Sequence, residues 1–387
     1  MAVAASAAAA ACAGLSTAPP APDTEALRQE IAALQSGALA FQLERQRRVR
    51  SLAWPLLERN ADLCGKRTRK ALGLVVATNA SASSLAPGLR ERDLKARTPK
   101  DGPYVALIVE GGPAQKAGLQ EGDRILAIDG RALKADASAR VAAKRLKRAA
   151  TDGETAILTI RREDDQPGWP AVRQIEVPPA EVCRFAVSVG RSSQINAYTD
   201  GRRLVILPGL ERALAEDDNA LSLVIAHELA HAILSHPRKM TRNAVVSGGV
   251  LLGPIASLGG GVADMGLALS GRKPPISLRR SGAALATYPY GADFEREADY
   301  VAAYLVARAG GDLSNVEELF TLFAHESPAS TWHSVSHPTT PERAAALRLT
   351  LDEIAAKQAA GEELWPEGLK PLRQPVFDVE AARGNPE

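Results

Sequence analysis

The sequence predicts an α+β protein in which a domain of short strands lies between two mainly helical regions. Three observations lead to this prediction. Residues 24–63 carry apolar side chains at helical spacing, residues 66–178 change to short strand-like runs with glycine turns, and residues 219–235 form an almost wholly apolar helical run. A chain of 387 residues is long enough for two domains with separate cores.

The composition limits the classes of function. Apolar residues make up 45% and charged residues 24% of the chain, as in ordinary soluble globular proteins. A net charge of +2 gives no electrostatic reason to expect nucleic acid, and an aromatic content of 4% argues against a platform for stacking bases. We therefore predict that the partners do not include nucleic acid.

Residues 1–23 form a small-residue apolar run followed by a linker rich in proline and alanine. One interpretation is an export signal with Cys12 as a lipidated first mature residue, which would place the protein in the cell envelope, periplasmic or lipid-anchored. The other is a low-complexity tail, because no Lys or Arg precedes the run. Cys64 and Cys183 could pair in an oxidising compartment, or remain two separate buried thiols.

Three more segments can be assigned a type of structure from their patterns. Residues 24–63 are predicted to be a helical segment whose apolar stripe packs on the main body. Residues 66–178 contain strand-like runs such as YVALIVEGG and DRILAIDG, and one helical run, ASARVAAKRLKRAA. The tail over residues 359–387 is rich in proline and is predicted to be irregular.

Within that region, the segment VEGGPAQKAGLQEGDRILAIDGRAL (residues 109–133) resembles a bacterial PDZ domain. The resemblance implies a β-barrel or sandwich over residues 66–178 that binds a peptide as an added strand. It places a loop that caps a peptide carboxylate at Leu72, Gly73, Leu74 and Val75. The alternative is a PDZ fold kept as a spacer, with its groove filled.

An otherwise apolar run, VIAHELAHAIL (residues 224–234), carries two histidines and a glutamate. His227 and His231 are four residues apart and share one helical face. Unpaired ionisable groups are costly to bury, and a zinc ion removes that cost because neutral imidazoles can bind it. The pattern H-E-x-x-H therefore predicts two zinc ligands, with Glu228 as the general base.

A catalytic zinc needs a third protein ligand. The run DFEREADYVAAYLVARAGGD (residues 293–312) is predicted to be a helix, on which Glu295 and Asp299 lie one turn apart. Glu295 could reach the metal, while Asp299 could accept the second ring N–H of a histidine ligand. The alternative is a helix start whose acidic residues favour the helix dipole, a role that also accounts for Glu297.

The two motifs together, HELAH at residues 227–231 and EREAD at 295–299, resemble the gluzincin peptidases of family M48, the relatives of HtpX and the CAAX proteases. Two further segments resemble that family, INAYTDGRRLVIL at residues 195–207 and HSVSHPTTPERAAAL at 333–347. The resemblance covers about residues 187–349. It implies a mainly helical zincin-type peptidase domain with a small β-sheet over residues 183–358, holding one Zn²⁺ per chain.

The resemblance also implies the roles of single residues. Glu295 becomes the third zinc ligand and Asp299 the partner of a histidine ligand. His337 becomes an active-site histidine that steadies the oxyanion or blocks the zinc at rest. Asn196 and Ala197 fall on a strand whose edge pairs with the substrate backbone. His337 is preferred to His333, whereas His236 and His325 are assigned structural or exposed positions.

The long apolar run over residues 245–271 raises another possibility, an intramembrane protease of the site-two type. Asp264, Pro254 and the glycines at 259–261 argue against a spanning helix. Three interpretations remain: a helical pair that covers the active site, a mobile lid, or a surface that touches a membrane.

The sequence thus predicts a zinc endopeptidase of the cell envelope that acts on proteins or peptides. Its PDZ domain would dock substrates by their free C-termini or regulate access. The alternative function is a chaperone-like or PDZ scaffold protein whose zinc site is idle.

Overall fold

A computed structural model of the protein describes residues 23–78, 80–81, 85, 102–162, 172–240, 291–314, 316–326, 337 and 341–369. Cys12, His333 and the run 245–271 lie outside these residues. The predicted α+β class is confirmed. No helix in the described ranges combines the length and the apolar character needed to cross a bilayer.

Helices and strands are numbered in chain order. The helices are α1 Thr24–Arg59, α2 Pro113–Lys116, α3 Ala139–Asp152, α4 Pro208–Ala213, α5 Asp218–Ile233, α6 Ala292–Arg308, α7 Val316–Glu326 and α8 Pro341–Ala359. The strands are β1 Thr68–Ala71, β2 Leu74–Ala77, β3 Tyr104–Ile108, β4 Arg124–Ile128, β5 Arg131–Ala132, β6 Ala156–Arg161, β7 Val172–Val177, β8 Ala180–Cys183, β9 Ala186–Val189, β10 Ala197–Thr199 and β11 Arg203–Ile206. A 3₁₀ turn, Ala61–Cys64, follows α1.

Helix α1 packs on the body along its second half. Leu27 and Leu34 of its first half are exposed, whereas Val49 and Leu56 of its second half are buried. A buried ion pair between Arg45 Nε and Glu211 Oε2, at 2.5 Å, fixes it against α4. The apolar stripe of α1 is therefore buried only along the half of the helix that packs against the rest of the protein.

The strand-rich domain is built on an antiparallel sheet of order β2-β3-β4-β6-β7, with β5 paired to β4. Helix α3 packs on this sheet through Leu146, and the buried side chains of Ile125, Leu158 and Ile160 complete the core. Because β2 comes first in the strand order, one of its edges faces away from the sheet.

Strands β1 and β8 pair with each other and not with that sheet. Beside them, Cys64 and Cys183 form a disulfide with Cα atoms 5.6 Å apart, so the two cysteines are not separate thiols. The bond closes a loop across a sequence separation of 119 residues. Constraining a loop of that size in the unfolded chain stabilises the fold by about 5 kcal/mol in the chain-entropy model.

The remaining domain places a three-stranded sheet, of order β10-β11-β9, beside a helical core. Helix α5 is buried along most of its length and packs on α6, which packs in turn on α8. The apolar residues that wrap round α5 explain this central position, because such a helix has no face suited to water. The packing of α5 on α6 brings the two predicted metal-binding motifs together.

Candidate metal centre

Helix α5 is held at both ends. At its start, the carboxylate of Asp217 accepts a hydrogen bond from the Ala220 N–H at 2.8 Å. At its end, Arg67 donates to the carbonyls of Ala232 and Ile233 at 2.7 and 2.5 Å. A guanidinium at this end satisfies carbonyls that have no partner within the helix and complements the helix dipole. His227, Glu228 and His231 are thus carried on a rigid, buried element.

Helix α6 supplies the acidic residues. It begins at Ala292, after Gly291, so Asp293 lies in its first turn. Glu295 also lies in the first turn and Asp299 lies one turn further along, and both are buried among α5 and α8. A charged helix start would leave both carboxylates in water, so the dipole alone does not account for them.

The ligand atoms of His227, His231 and Glu295 converge on one point. The two Nε2 atoms are 3.0 Å apart. The Glu295 oxygens lie 3.4 Å from Nε2 of His227 and 3.3 Å from Nε2 of His231. With His337, the four residues offer ligand atoms that all lie within 4.8 Å of one another.

These separations fit a zinc ion. Two tetrahedral ligands at about 2.0–2.1 Å from zinc lie about 3.3 Å from each other. Nδ1 of His227 faces the carboxylate of Asp299 at 2.8 Å, so a His227 that bound a metal through Nε2 would donate its Nδ1–H to Asp299. Two ring nitrogens and two carboxylate oxygens that face one another in a buried site form a set of donors that could hold a cation.

The buried Arg343 of α8 holds both carboxylates. Its guanidinium forms a fork with Asp299, at 2.7 and 2.8 Å, and reaches Glu295 at 2.9 Å. Burial raises the pKa of each carboxyl, but the charge of Arg343 on Asp299, and of His337 on Glu295, outweighs it. Both pKa values are lowered, so both groups are carboxylates at neutral pH. Sequence patterns assigned Arg343 no role, because one arginine on a helix gives no local signal.

His236 was assigned a structural or exposed position, and the structure places it fully buried, against the candidate metal ligand His231. Their Nδ1 atoms are 2.8 Å apart, and Nε2 of His236 lies 3.0 Å from Glu297 Oε2. Glu297 therefore does more than favour the dipole of α6. Ser235, with φ 59°, turns the chain after α5 so that His236 folds back beneath His231.

Replacing His236 with phenylalanine is expected to weaken metal binding by roughly 10–100-fold, the usual effect of losing the partner of a metal-binding histidine. The ring would keep its volume and its stacking on Phe294, at 4.5 Å between centroids, but would lose the nitrogen that faces His231. Competition for zinc with a chromophoric chelator measures the change. His325→Phe, at an exposed histidine, is the matched control, and equal affinity in both variants would contradict the role of His236.

His337 lies between the ligand cluster and Glu228. Its Nδ1 is 3.3 Å from His227 Nε2 and 3.1 Å from Glu295 Oε1. Its Nε2 is 3.3 Å from Glu228 Oε1. The ring thus stands where a fourth ligand of the metal would be, with its other nitrogen towards the predicted base.

Glu228 lies in the same site and is almost completely buried. Burial raises the pKa of its carboxyl, and the charges of His337 and His227 offset part of this rise. Its Oε2 has no hydrogen-bond partner among the described residues. A buried carboxylate with a raised pKa and a free oxygen is suited to accept a proton near neutral pH.

The predicted substrate strand lies beside α5. Strand β10 begins at Ala197 and is the edge of its sheet, while Asn196 precedes it. Oδ1 of Asn196 accepts from the Ala197 N–H at 2.9 Å, which fixes the entry to the strand. The substrate-binding role of these two residues remains a prediction.

The predicted carboxylate loop joins β1 to β2. The structure places it at the edge of the PDZ-like sheet, far along the chain from the metal ligands and on the other domain. Leu72 and Gly73 lie between the two strands, and Leu74 and Val75 are the first two residues of β2. Gly73 has φ +71°, and a Cβ there would lie 3.1 Å from Gly112 Cα, so a larger residue is disfavoured.

Comparison with known proteins assigns both domains. Residues 170–351 match the model of peptidase family M48, and residues 104–162 match that of the PDZ domain. The first range includes all four residues of the metal cluster. The sheet that contains the second range extends beyond it, because β2 and β7 are its outer strands.

Similar solved structures include the HtrA3 PDZ domain bound to a phage-derived ligand (FGRWV), 23% identical, which covers 30% of this chain and 89% of that one with a TM-score of 0.21. The HtrA-type protease AlgW with a decapeptide is also 23% identical and covers 30% of each chain with a TM-score of 0.19. No curated protein is significantly similar to the chain. The chain thus contains one segment that is similar to the peptidases of family M48 and, before it, one segment that is similar to PDZ domains.

Proposed function

We propose that this protein is a zinc-dependent endopeptidase that hydrolyses peptide bonds in protein substrates. One observation carries the proposal: His227, His231 and Glu295, from two helices, direct their ligand atoms at one buried point beside Glu228. Ligands of the type His, His and Glu are those of catalytic zinc in hydrolases, and structural zinc sites use mostly cysteine.

A zinc ion held by these residues would supply a Lewis acid for the scissile carbonyl and the attacking water. Glu228 takes the proton of that water on its carboxylate and passes it to the leaving amine. Arg343 and Asp299 keep Glu295 and His227 in position through the buried hydrogen bonds already described. In this scheme, the proton passes from the water to the leaving amine by way of the Glu228 side chain.

His337 has two roles in the proposal. In the structure, the ring of His337 lies between the ligand cluster and Glu228. This position supports a resting state in which no water molecule fits between the cluster and Glu228. Once turned away from the ligands, the same ring would be close enough to stabilise the developing oxyanion. Substrate would enter as a strand added to the edge of β10.

The compartment that we propose is the cell envelope, periplasmic or lipid-anchored. The disulfide between Cys64 and Cys183 supports this location, because such bonds persist in oxidising compartments. A lipid chain on Cys12 would be the anchor of a lipid-anchored form.

Cleavage of fluorescently labelled casein tests the proposed activity. We expect cleavage by the purified full-length protein, its loss after treatment with 1,10-phenanthroline, and its return on addition of zinc. His337→Ala is assayed in parallel, so that a blocked resting state is not mistaken for an idle site. If neither protein cleaves casein when zinc is bound, a chaperone-like or scaffold function becomes the better account.

A further inference from the structure

A cavity of about 330 Å³ lies between the PDZ domain and the rest of the protein. One wall consists of residues 72–76 and helix α3, and the other of helix α1 and residues 182–187. The volume is within the range of ligand-binding sites. Among the described strands, β2 pairs only with β3, so its free edge can receive an extended peptide.

The loop before β2 turns its N–H groups towards this cavity. The carbonyl of Leu72 accepts from the Ala114 N–H at 2.8 Å, and that of Gly73 accepts from the Val109 N–H at 2.9 Å. In a trans peptide, the carbonyl and the following N–H point in opposite directions. The N–H groups of Gly73 and Leu74 therefore point away from these partners, on the side of the cavity that both residues line.

The charge in the cavity has one sign. The side chains of Arg50, Arg69, Lys70 and Lys147 line it, and no Asp or Glu is among its lining residues. None of the four forms a salt bridge within the described part of the chain. Nε of Arg50 is buried and has no hydrogen-bond partner there. Burial lowers the pKa of Arg50 to about 10, and the nearby charge of Arg69 contributes to the same shift.

Helix α1 is fixed against the PDZ domain on either side of Arg50. Arg47 donates to both carboxylate oxygens of Glu121, at 3.1 and 2.6 Å. Oγ of Ser51 accepts from the Glu110 N–H at 3.0 Å. Arg50 is therefore a built part of the cavity wall. A guanidinium buried without a counter-charge destabilises the fold, so an anionic ligand would offset a cost that the protein otherwise carries.

We propose that Arg50 binds the C-terminal carboxylate of an extended peptide in this cavity, together with the N–H groups of Gly73 and Leu74. This inference rests on the proposed peptide-binding role of the PDZ domain and adds a cation from helix α1, outside that domain. Arg69 adds positive charge, and the apolar side chains of Leu72 and Leu146 favour an apolar last residue. The bound peptide would contact both domains, because Phe185 and Val187 line the same space.

A binding experiment on the full-length Glu228→Gln protein, which should not degrade the probe, tests this proposal. The immobilised protein is incubated with two pools of randomised hexapeptides, one with free C-terminal carboxylates and one amidated. Bound peptides are identified by mass spectrometry, and the most enriched one is titrated by fluorescence polarisation in both forms. We expect the free acids to be enriched and the amides to bind weakly.

Arg50→Met in the same background should weaken binding of the free acid by roughly tenfold or more and leave the amide unaffected. The unfolding temperature should stay the same or rise, because an unpaired buried charge is removed. Arg59→Met, at an exposed arginine of the same helix, is the control. Equal affinity of Arg50→Met for the acid, or equal binding of acid and amide, overturns the proposal. If neither pool binds, the PDZ docking role fails as well, while casein cleavage reports separately on the peptidase.

Discussion

Substituting glutamine for Glu228 is expected to slow peptide hydrolysis by roughly 10²–10⁴-fold, the usual contribution of a general base. The amide keeps the size of the side chain but cannot take a proton from water. Zinc should stay bound, because the three ligand residues are unchanged. The kcat for a fluorogenic peptide and the zinc content of the same sample measure the two effects.

Glu216→Gln is the matched control, since this glutamate is exposed and lies just before the same helix. It should leave both kcat and zinc content at the wild-type level. Retained hydrolysis in Glu228→Gln would show that another group acts as the base. Loss of zinc from that variant would instead assign Glu228 a role in holding the metal.

Substituting glutamine for Glu295 is expected to remove most of the bound zinc. The carboxylate lies 3.3–3.4 Å from both imidazole nitrogens and is the anionic member of the cluster on α6. Its loss leaves two imidazoles and no carboxylate to balance the charge of the metal, while the cation Arg343 stays nearby. Zinc affinity should fall by more than the roughly 10–100-fold that follows from changing the partner of a ligand.

Zinc analysis after dialysis, and a chelator titration, measure this effect independently of activity. Asp293→Asn is the control, because that residue lies on the same helix and forms only an exposed ion pair with Arg296. If Glu295→Gln retained zinc with wild-type affinity, the metal would be held by other residues, and the assignment of the centre would be wrong. A fold that stays intact by circular dichroism separates this result from general unfolding.

Local spacing was enough to predict the two halves of the metal centre. Residues four apart in a helix share a face, so His227 and His231 had to lie together, as did Glu295 and Asp299. The apolar run around the histidines also predicted that their helix is buried, which is how α5 is placed. The glycine pattern at residues 109–133 likewise predicted the domain that matches the PDZ model.

Local spacing could not predict the contacts between segments that are far apart in the sequence. Arg343 meets Glu295 and Asp299 only because α8 packs on α6, and His236 meets His231 because Ser235 reverses the chain. For this reason the sequence did not connect His236 or Glu297 with His231. Neither residue lies three or four positions from His231 on the same helix, so no helical pattern connects them with that ligand.

The sequence by itself determined which side chains share a face, because backbone geometry fixes the repeat of a helix and of a strand. It thereby predicted the types of metal ligand and the general base. Only the tertiary structure decided which faces meet, which hydrogen bonds hold the ligands, and that Arg50 of the first helix borders the groove of another domain. That choice depends on how the apolar surfaces of separate elements pack, and the packing is a property of the whole chain.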